Sequence, residues 1–266
     1  MQPVFINAAD VSGLVGRLWW PSLRIGGFVL AAPIASEVAI PSRVKIVLTL
    51  ALAFVLAPLA PVPAALSVFS AAGLLTAVQE LLIGIAIGMV MQLAFDGLTF
   101  AGQTISMSMG LGFATLIDPQ RGASVPVLGQ IVSIMGLLSY LAINGHLVLL
   151  GALANSFQTL PIGAANIDKD FLLAVATWGA RIFETGLLVA LPAMIALVIV
   201  NMALGVVARA APQLNLFGIG FTITLLCGFF VLMVGLDGIM VGVSSVIGHA
   251  LEAVVDLVAT RPAGAH

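Results

Sequence analysis

Cysteine is nearly absent. Cys227 is the only one in 266 residues, which rules out an intrachain disulfide. Its neighbours Leu226 and Gly228 are apolar and offer no basic group to activate it, so it reads as a small packing residue. Charge is also scarce, with charged residues at 8% and a formal net charge of -2. The nine basic residues stand singly, and without a polybasic run there is no footprint for nucleic acid or for anionic lipid. Histidine occurs three times, and only His146, in Asn144-Gly145-His146, lies clearly within an apolar span, His249 standing at the very end of one. No second histidine or cysteine sits at ligand spacing, so His146 reads as a packing residue rather than a metal ligand. No nucleophile, base and acid combination and no phosphate-cradling glycine loop occurs, so no catalytic, cofactor-binding or metal residue is assigned. The first residues, MQPVFINAADVSG, lack the basic start and short apolar core of a cleaved signal peptide and are expected to belong to the mature chain.

What remains is apolar. Hydrophobic residues make up 61% of the chain and mean hydropathy is +1.23, values that exclude a soluble globular domain and leave an all-α, polytopic membrane protein. About 20 apolar residues at 1.5 Å each cross the hydrocarbon layer, and uncharged stretches of that length predict about six long, kinked helices. The first, 11–35, is interrupted by Arg17, Pro21 and Arg24, with Trp19 and Trp20 suited to a membrane interface. The second runs from Ile46 to Leu59 and is stopped by Pro58, Pro61 and Pro63. The third covers 72–95. The fourth covers 127–153 and gives way to the turn-rich QTLPIGAANIDKD. The fifth, 172–208, is expected to kink at Pro192, and Pro212 separates it from the sixth, 214–250, which glycines are expected to break. No linker or shift in composition marks a boundary, which leaves one domain over 1–266.

Between Asp96 and Pro126 lies TFAGQTISMSMGLGFATLIDPQRGASVP, apolar enough for a membrane interior yet too rich in glycine for a good helix. Met107, Met109, Gly110, Gly112 and Phe113 place flexible thioethers, backbone freedom and one ring together, and Asp118-Pro119 ends the run. The segment is expected to bend or unwind. Irregular backbone at membrane depth is tolerated only where protein or a water-filled cavity surrounds it, because lipid satisfies no free amide or carbonyl. The segment is therefore expected to face an interior or a pore. Thioethers and a ring would make a deformable apolar seal there, although Met107 and Phe113 filling an ordinary core is the competing reading.

Six charges fall inside or at the edges of the expected spans: Glu80, Asp96, Arg181, Glu184, Arg209 and Asp237. Each needs a partner or water. Arg181 and Glu184, three residues apart, can pair on one helix face. A proton or ion pathway and helices enclosed by a larger assembly both account for the others. Gly84 with Gly88, and Gly238 with Gly242, have the spacing that lets helix backbones approach, either within the chain or against another subunit. On residues alone, a secondary transporter with discontinuous helices remains the alternative to a subunit of a larger complex.

Three blocks in combination, GLGFATLIDPQRGASVPVLGQ, INGHLVLLGALANSFQTLPIG and PQLNLFGIGFTITLLCGFFVLM, resemble the FliR family of the flagellar type III secretion export gate, related to the SctT subunits of injectisomes. The resemblance covers most of the chain. It implies a single-copy subunit, not an enzyme, of the bacterial cell inner membrane and flagellar basal body. Such a subunit joins FliP and FliQ, with FlhB and FlhA nearby, in a channel for unfolded flagellar proteins. Residues about 1–160 are similar to FliP in arrangement and about 170–256 to a FliQ helix pair. The family's plug loop maps onto Met107, Met109, Gly110, Leu111, Gly112, Phe113, Ala114, Thr115, Leu116, Asp118 and Pro119.

Overall fold

The computed structural model describes residues 8–37, 39–63, 70–111, 127–163, 169–210 and 216–259. Among them are seven α-helices and one 3-10 turn, with no strand: α1 (Ala8–Ala31), α2 (Ser42–Leu56) running into the turn Ala57–Leu59, α3 (Ala71–Ser108), α4 (Val127–Ala142), α5 (Gly145–Thr159), α6 (Lys169–Ala210) and α7 (Leu216–Ala259). Four of these stretches are long and apolar enough to cross a membrane, or five if α4 and α5 form one broken span. The chain is an all-α polytopic membrane protein. With 38, 42 and 44 residues, α3, α6 and α7 reach roughly 57–66 Å at 1.5 Å per residue, about twice a hydrocarbon thickness near 30 Å. Their ends therefore extend beyond the hydrocarbon.

Several elements differ from the sequence expectation. The last helix, expected to be broken by glycines and to end at 250, is one unbroken helix to Ala259. The helix expected to end at 95 continues to Ser108, through about the first third of the segment expected to bend. Hydroxyls there are satisfied within the helix: Thr99, Thr104 and Ser108 donate to the carbonyls of Phe95, Phe100 and Thr104 at 2.8–3.0 Å. Gly102 serves packing rather than bending, since a Cβ at that position would lie 2.5–2.8 Å from the backbone of Leu128 and Gly129 on α4. The expected fourth helix is two helices, because Asn144 adopts the left-handed conformation (φ 55°) and its carbonyl accepts from the amides of Leu147 and Val148 as α5 starts. Asn-Gly is a turn dipeptide, and here it acts as one inside an apolar run. In α1 the helix continues through Arg17, Pro21 and Arg24.

The residues form two compact units. One is drawn from 1–92, 144–178 and 250–266, the other from 93–143 and 179–249. In the first, α1 crosses α3 with backbones in contact: a Cβ at Gly84 would strike the carbonyl of Arg24, and one at Gly88 would lie 2.7 Å from the amide of Ala32 and 2.9 Å from the carbonyl of Phe28. Trp20, Ile25, Ile87, Met91, Leu153 and Phe157 fill its interior. In the second, Leu98, Ile105, Met109, Leu197, Val243 and Ile247 are buried. Phe95 meets Tyr140 edge to face with ring centroids 5.9 Å apart, and the hydroxyls of Ser139 and Ser244 lie 3.0 Å apart.

Candidate functional site

The described part of the expected plug is the end of α3. Leu111 N–H donates to the Ser106 carbonyl and Gly110 N–H to that of Met107, at 3.1 and 3.0 Å. Gly110 has φ 82°. This is a Schellman stop, in which a left-handed glycine lets two terminal carbonyls be satisfied as the chain leaves the helix. The two methionines before it point to different surroundings, Met107 being 72% exposed and Met109 0% exposed. Met109 fills a notch on α7, where a Cβ at Gly228 would lie 2.5 Å from its Cε and 2.7 Å from its Cγ. Beside it, Asn201 Nδ2 on α6 donates to the Ser108 carbonyl at 3.4 Å, and Thr224 Oγ1 on α7 donates to Asn201 Oδ1 at 3.2 Å. Leu111 is half-buried. Gly112, Phe113, Ala114, Thr115, Leu116, Asp118 and Pro119 lie outside the described residues.

Of the six span charges, Glu80 alone is buried in this chain. Arg24 Nε donates to its Oε2 at 2.7 Å, with both side chains fully enclosed. The same guanidinium donates to the Ser156 carbonyl (2.7 Å) and hydroxyl (3.0 Å) and to the Leu160 carbonyl (2.8 Å), and lies 4.5 Å from the Phe157 ring centroid. One planar fork thus joins α1, α3 and the C-terminal turn of α5, using the rigid donor geometry that only arginine has. Asp96, Arg181, Glu184, Arg209 and Asp237 are exposed on the chain. Gly84 and Gly88 face α1, whereas a Cβ at Gly238 would meet nothing within 4 Å and one at Gly242 would touch Val189 at 3.3 Å.

Sequence reasoning treated Arg24 only as an interruption. The signal was present, since a cation and an anion inside two apolar helices are natural partners. Asn201, in the run LVIVNMALG, and Gly228 were also passed over; an amide among aliphatics gives the same kind of hint.

The family model described as Bacterial export proteins, family 1, matches residues 15–250. "Flagellar biosynthetic protein FliR" of Escherichia coli (strain K12) is 44% identical over 213 residues, 79% of this chain and 80% of its own length. The protein of the same name from Pectobacterium carotovorum subsp. carotovorum is 41% identical over 226 residues, 85% of this chain and 86% of its own. That of Bacillus subtilis (strain 168) is 30% identical over 240 residues, 89% and 92%. The chain belongs to the FliR family of bacterial export proteins. Membership places it among membrane proteins of flagellum biogenesis and protein transport. The family match runs through α1 to α7, so the Arg24 cluster and the α3 terminus both lie inside it.

Proposed function

We propose that this chain is a subunit of the flagellar type III protein export gate. In this reading it joins FliP and FliQ in the inner membrane at the flagellar base and serves not as an enzyme but as part of the wall of a conduit through which unfolded flagellar proteins pass. The observation that carries this is the family match over residues 15–250 together with relatives named for flagellar biosynthesis. FlhB and FlhA are the further partners, the chain is present in one copy, residues about 1–160 stand where a FliP chain would, and about 170–256 stand where a FliQ helix pair would. The loop that begins at Gly110 is the plug. Exposed Met107 at its entrance is the side-chain type a seal of changing shape requires, because three rotatable bonds and a polarizable sulfur adapt to varied neighbours.

Co-expression with candidate FliP and FliQ chains, followed by native mass measurement, tests the assembly; a chain that purifies only alone rejects it. Deleting 110–116 tests the plug: assembly persists while ion leakage across the membrane rises, and unchanged conductance in an assembled variant rejects the role. The break at Asn144 is also what a secondary transporter with discontinuous helices would have. That reading requires substrate transport by the chain alone in vesicles, whereas a gate subunit is inactive without its partners.

A further inference from the structure

The second helix is apolar on nearly every side and almost wholly uncovered. We propose that α2 is the surface by which this chain meets the hydrocarbon of the membrane, with lipid acyl chains as its partner even in the assembled gate. The inference rests on the gate reading only for the assembly in which it is tested.

Within Ser42–Leu59 the side chains covered wholly or in part are Lys45, Thr49, Leu52, Ala53, Leu56 and Ala57, a spacing of three and four that marks one stripe. The helix packs on α1, and Thr49 Cγ2 would lie 3.7 Å from a Cβ at Gly26. Every other side chain from Ile46 to Leu59 is exposed and apolar, with Val47, Leu50, Phe54 and Val55 each more than half uncovered. The one polar side chain of that stretch, Thr49, lies on the stripe and donates its hydroxyl to the Lys45 carbonyl at 2.8 Å. In hydrocarbon, helices associate by close backbone approach at small residues and by polar side chains, because lipid gives no apolar drive to do so. From Ile46 onward α2 turns neither outward. Ser42–Leu59 contains no glycine, and its outward alanine, Ala51, stands between Val47 and Val55 one turn away on either side. On α7 the opposite holds, since a Cβ at Gly235 or Gly238, beside exposed Asp237, would meet nothing within 4 Å.

Both ends of the apolar stretch carry side chains suited to the membrane surface. At its start Arg43 is exposed, and Lys45 Nζ donates to the Ser36 carbonyl at 2.9 Å. α1 runs antiparallel to α2 and also packs on the turn Ala57–Leu59, and the register set by Gly26 and Thr49 brings Arg17 level with Pro58. Arg17 and Trp19 are exposed there. Cations on aliphatic stems and an indole are side chains that settle at headgroup depth. From Arg43 to Pro58 the helix rises roughly 22 Å at 1.5 Å per residue, and the reach of an arginine at each end brings the band close to a hydrocarbon thickness of about 30 Å. A few single cations select no anionic lipid. Acyl chains, under any headgroup, are therefore the partner this surface fits.

The test places a nitroxide on single cysteines in a Cys227→Ala chain, in vesicles of phosphatidylethanolamine and phosphatidylglycerol, alone and assembled with candidate FliP and FliQ chains. Oxygen concentrates in hydrocarbon and a nickel chelate in water, so the ratio of their collision rates reports lipid exposure and depth. Labels at Val44, Val47, Leu50, Phe54 and Leu59 all start from exposed positions. In the assembled gate the ratio is expected to peak at Leu50, midway between Arg43 and Pro58, and to fall toward Val44 and Leu59. Oxygen collisions at Leu50 stay within about a third of their value in the lone chain, while those at Val234 and Val241, on the Asp237 face of α7, drop at least about threefold on assembly. A threefold drop at Leu50 would show that a subunit covers α2 and would overturn the proposal, as would a ratio without a peak along the five positions. Where native mass measurement finds no complex, the gate reading fails; α2 is then judged in the lone chain, where the peak upholds the proposal and a flat profile overturns it.

Discussion

Replacing Arg24 by alanine would remove four hydrogen bonds at once and leave the Glu80 carboxylate enclosed without its cation. Breaking a buried ion pair from one side costs about 3–5 kcal/mol, because the remaining charge has neither water nor partner. At 1.36 kcal/mol per tenfold, that is a loss of between about a hundredfold and a few thousandfold in the folded-to-unfolded ratio. Removing both charges is a different perturbation. In an Arg24→Met, Glu80→Leu double variant no charge is stranded, and the Ser156 carbonyl keeps its bond from the Leu160 amide at 2.9 Å. What is lost is chiefly the donor to the Leu160 carbonyl, on the order of 1–3 kcal/mol for an unsatisfied buried group. The double variant is therefore expected to be about 2 kcal/mol more stable than Arg24→Ala, a departure from additivity that marks the two sites as coupled.

Denaturant titration of the purified protein in mixed micelles measures this, with Trp20 as a reporter because its indole is buried in the same unit. Arg24→Lys separates charge from shape. A lysine keeps the cation but cannot reach the Glu80 carboxylate and the carbonyls of Ser156 and Leu160 together, so it is expected to fall between wild type and Arg24→Ala. An Arg24→Ala loss below about 1 kcal/mol, or a double variant no better than the worse single, would refute the reasoning.

The two glycine pairs separate packing within the chain from packing against other subunits. Gly84→Val drives a side chain into the Arg24 carbonyl on α1 and is expected to abolish accumulation of the chain by immunoblot, whereas Gly238→Val, built into open space, leaves accumulation unchanged and reduces co-purification with partners. Equal accumulation of the two variants would contradict the assigned packing. Asp237 is exposed on a helix of spanning length. A carboxylate facing lipid there costs at least about 2.5 kcal/mol, so Asp237→Leu is expected to ease insertion of the lone chain and at least halve recovery of the complex; unchanged recovery would show that no partner meets it.

The class was legible in the sequence because hydropathy averages over many residues and survives local errors, but the number was not: about six spans were expected, and among the described residues four stretches, or five, are long and apolar enough. Nor were the ends of helices, because glycine has two opposite uses. At Gly102 a missing Cβ lets α4 approach and the helix continues, while at Gly110 a missing Cβ permits φ 82° and the helix stops. Composition is the same at both positions; what separates them is the partner backbone, which lies elsewhere in the chain. Asn144 illustrates the reverse case, a local turn signal hidden by the apolar residues around it. Of the expected plug, only Met107 to Leu111 lies among the described residues, and there the sequence did not separate the exposed Met107 from the buried Met109.

The charges make the final distinction. A membrane chain that completed its own fold would enclose each charge or bring it to a headgroup region. Here Arg24 and Glu80 follow that rule within one unit, while Asp237 and Glu184 stand exposed on long apolar helices beside side chains such as Met233, Val241 and Phe183. Lipid accommodates the aliphatics of such a face but not its carboxylates, and water accommodates the carboxylates but not the aliphatics. A neighbouring protein surface can take both, matching apolar groups by packing and each carboxylate by a cation or a hydrogen-bond donor. The pattern thus favours a chain whose fold is completed by other subunits, which is what an assembled gate provides and a lone transporter does not.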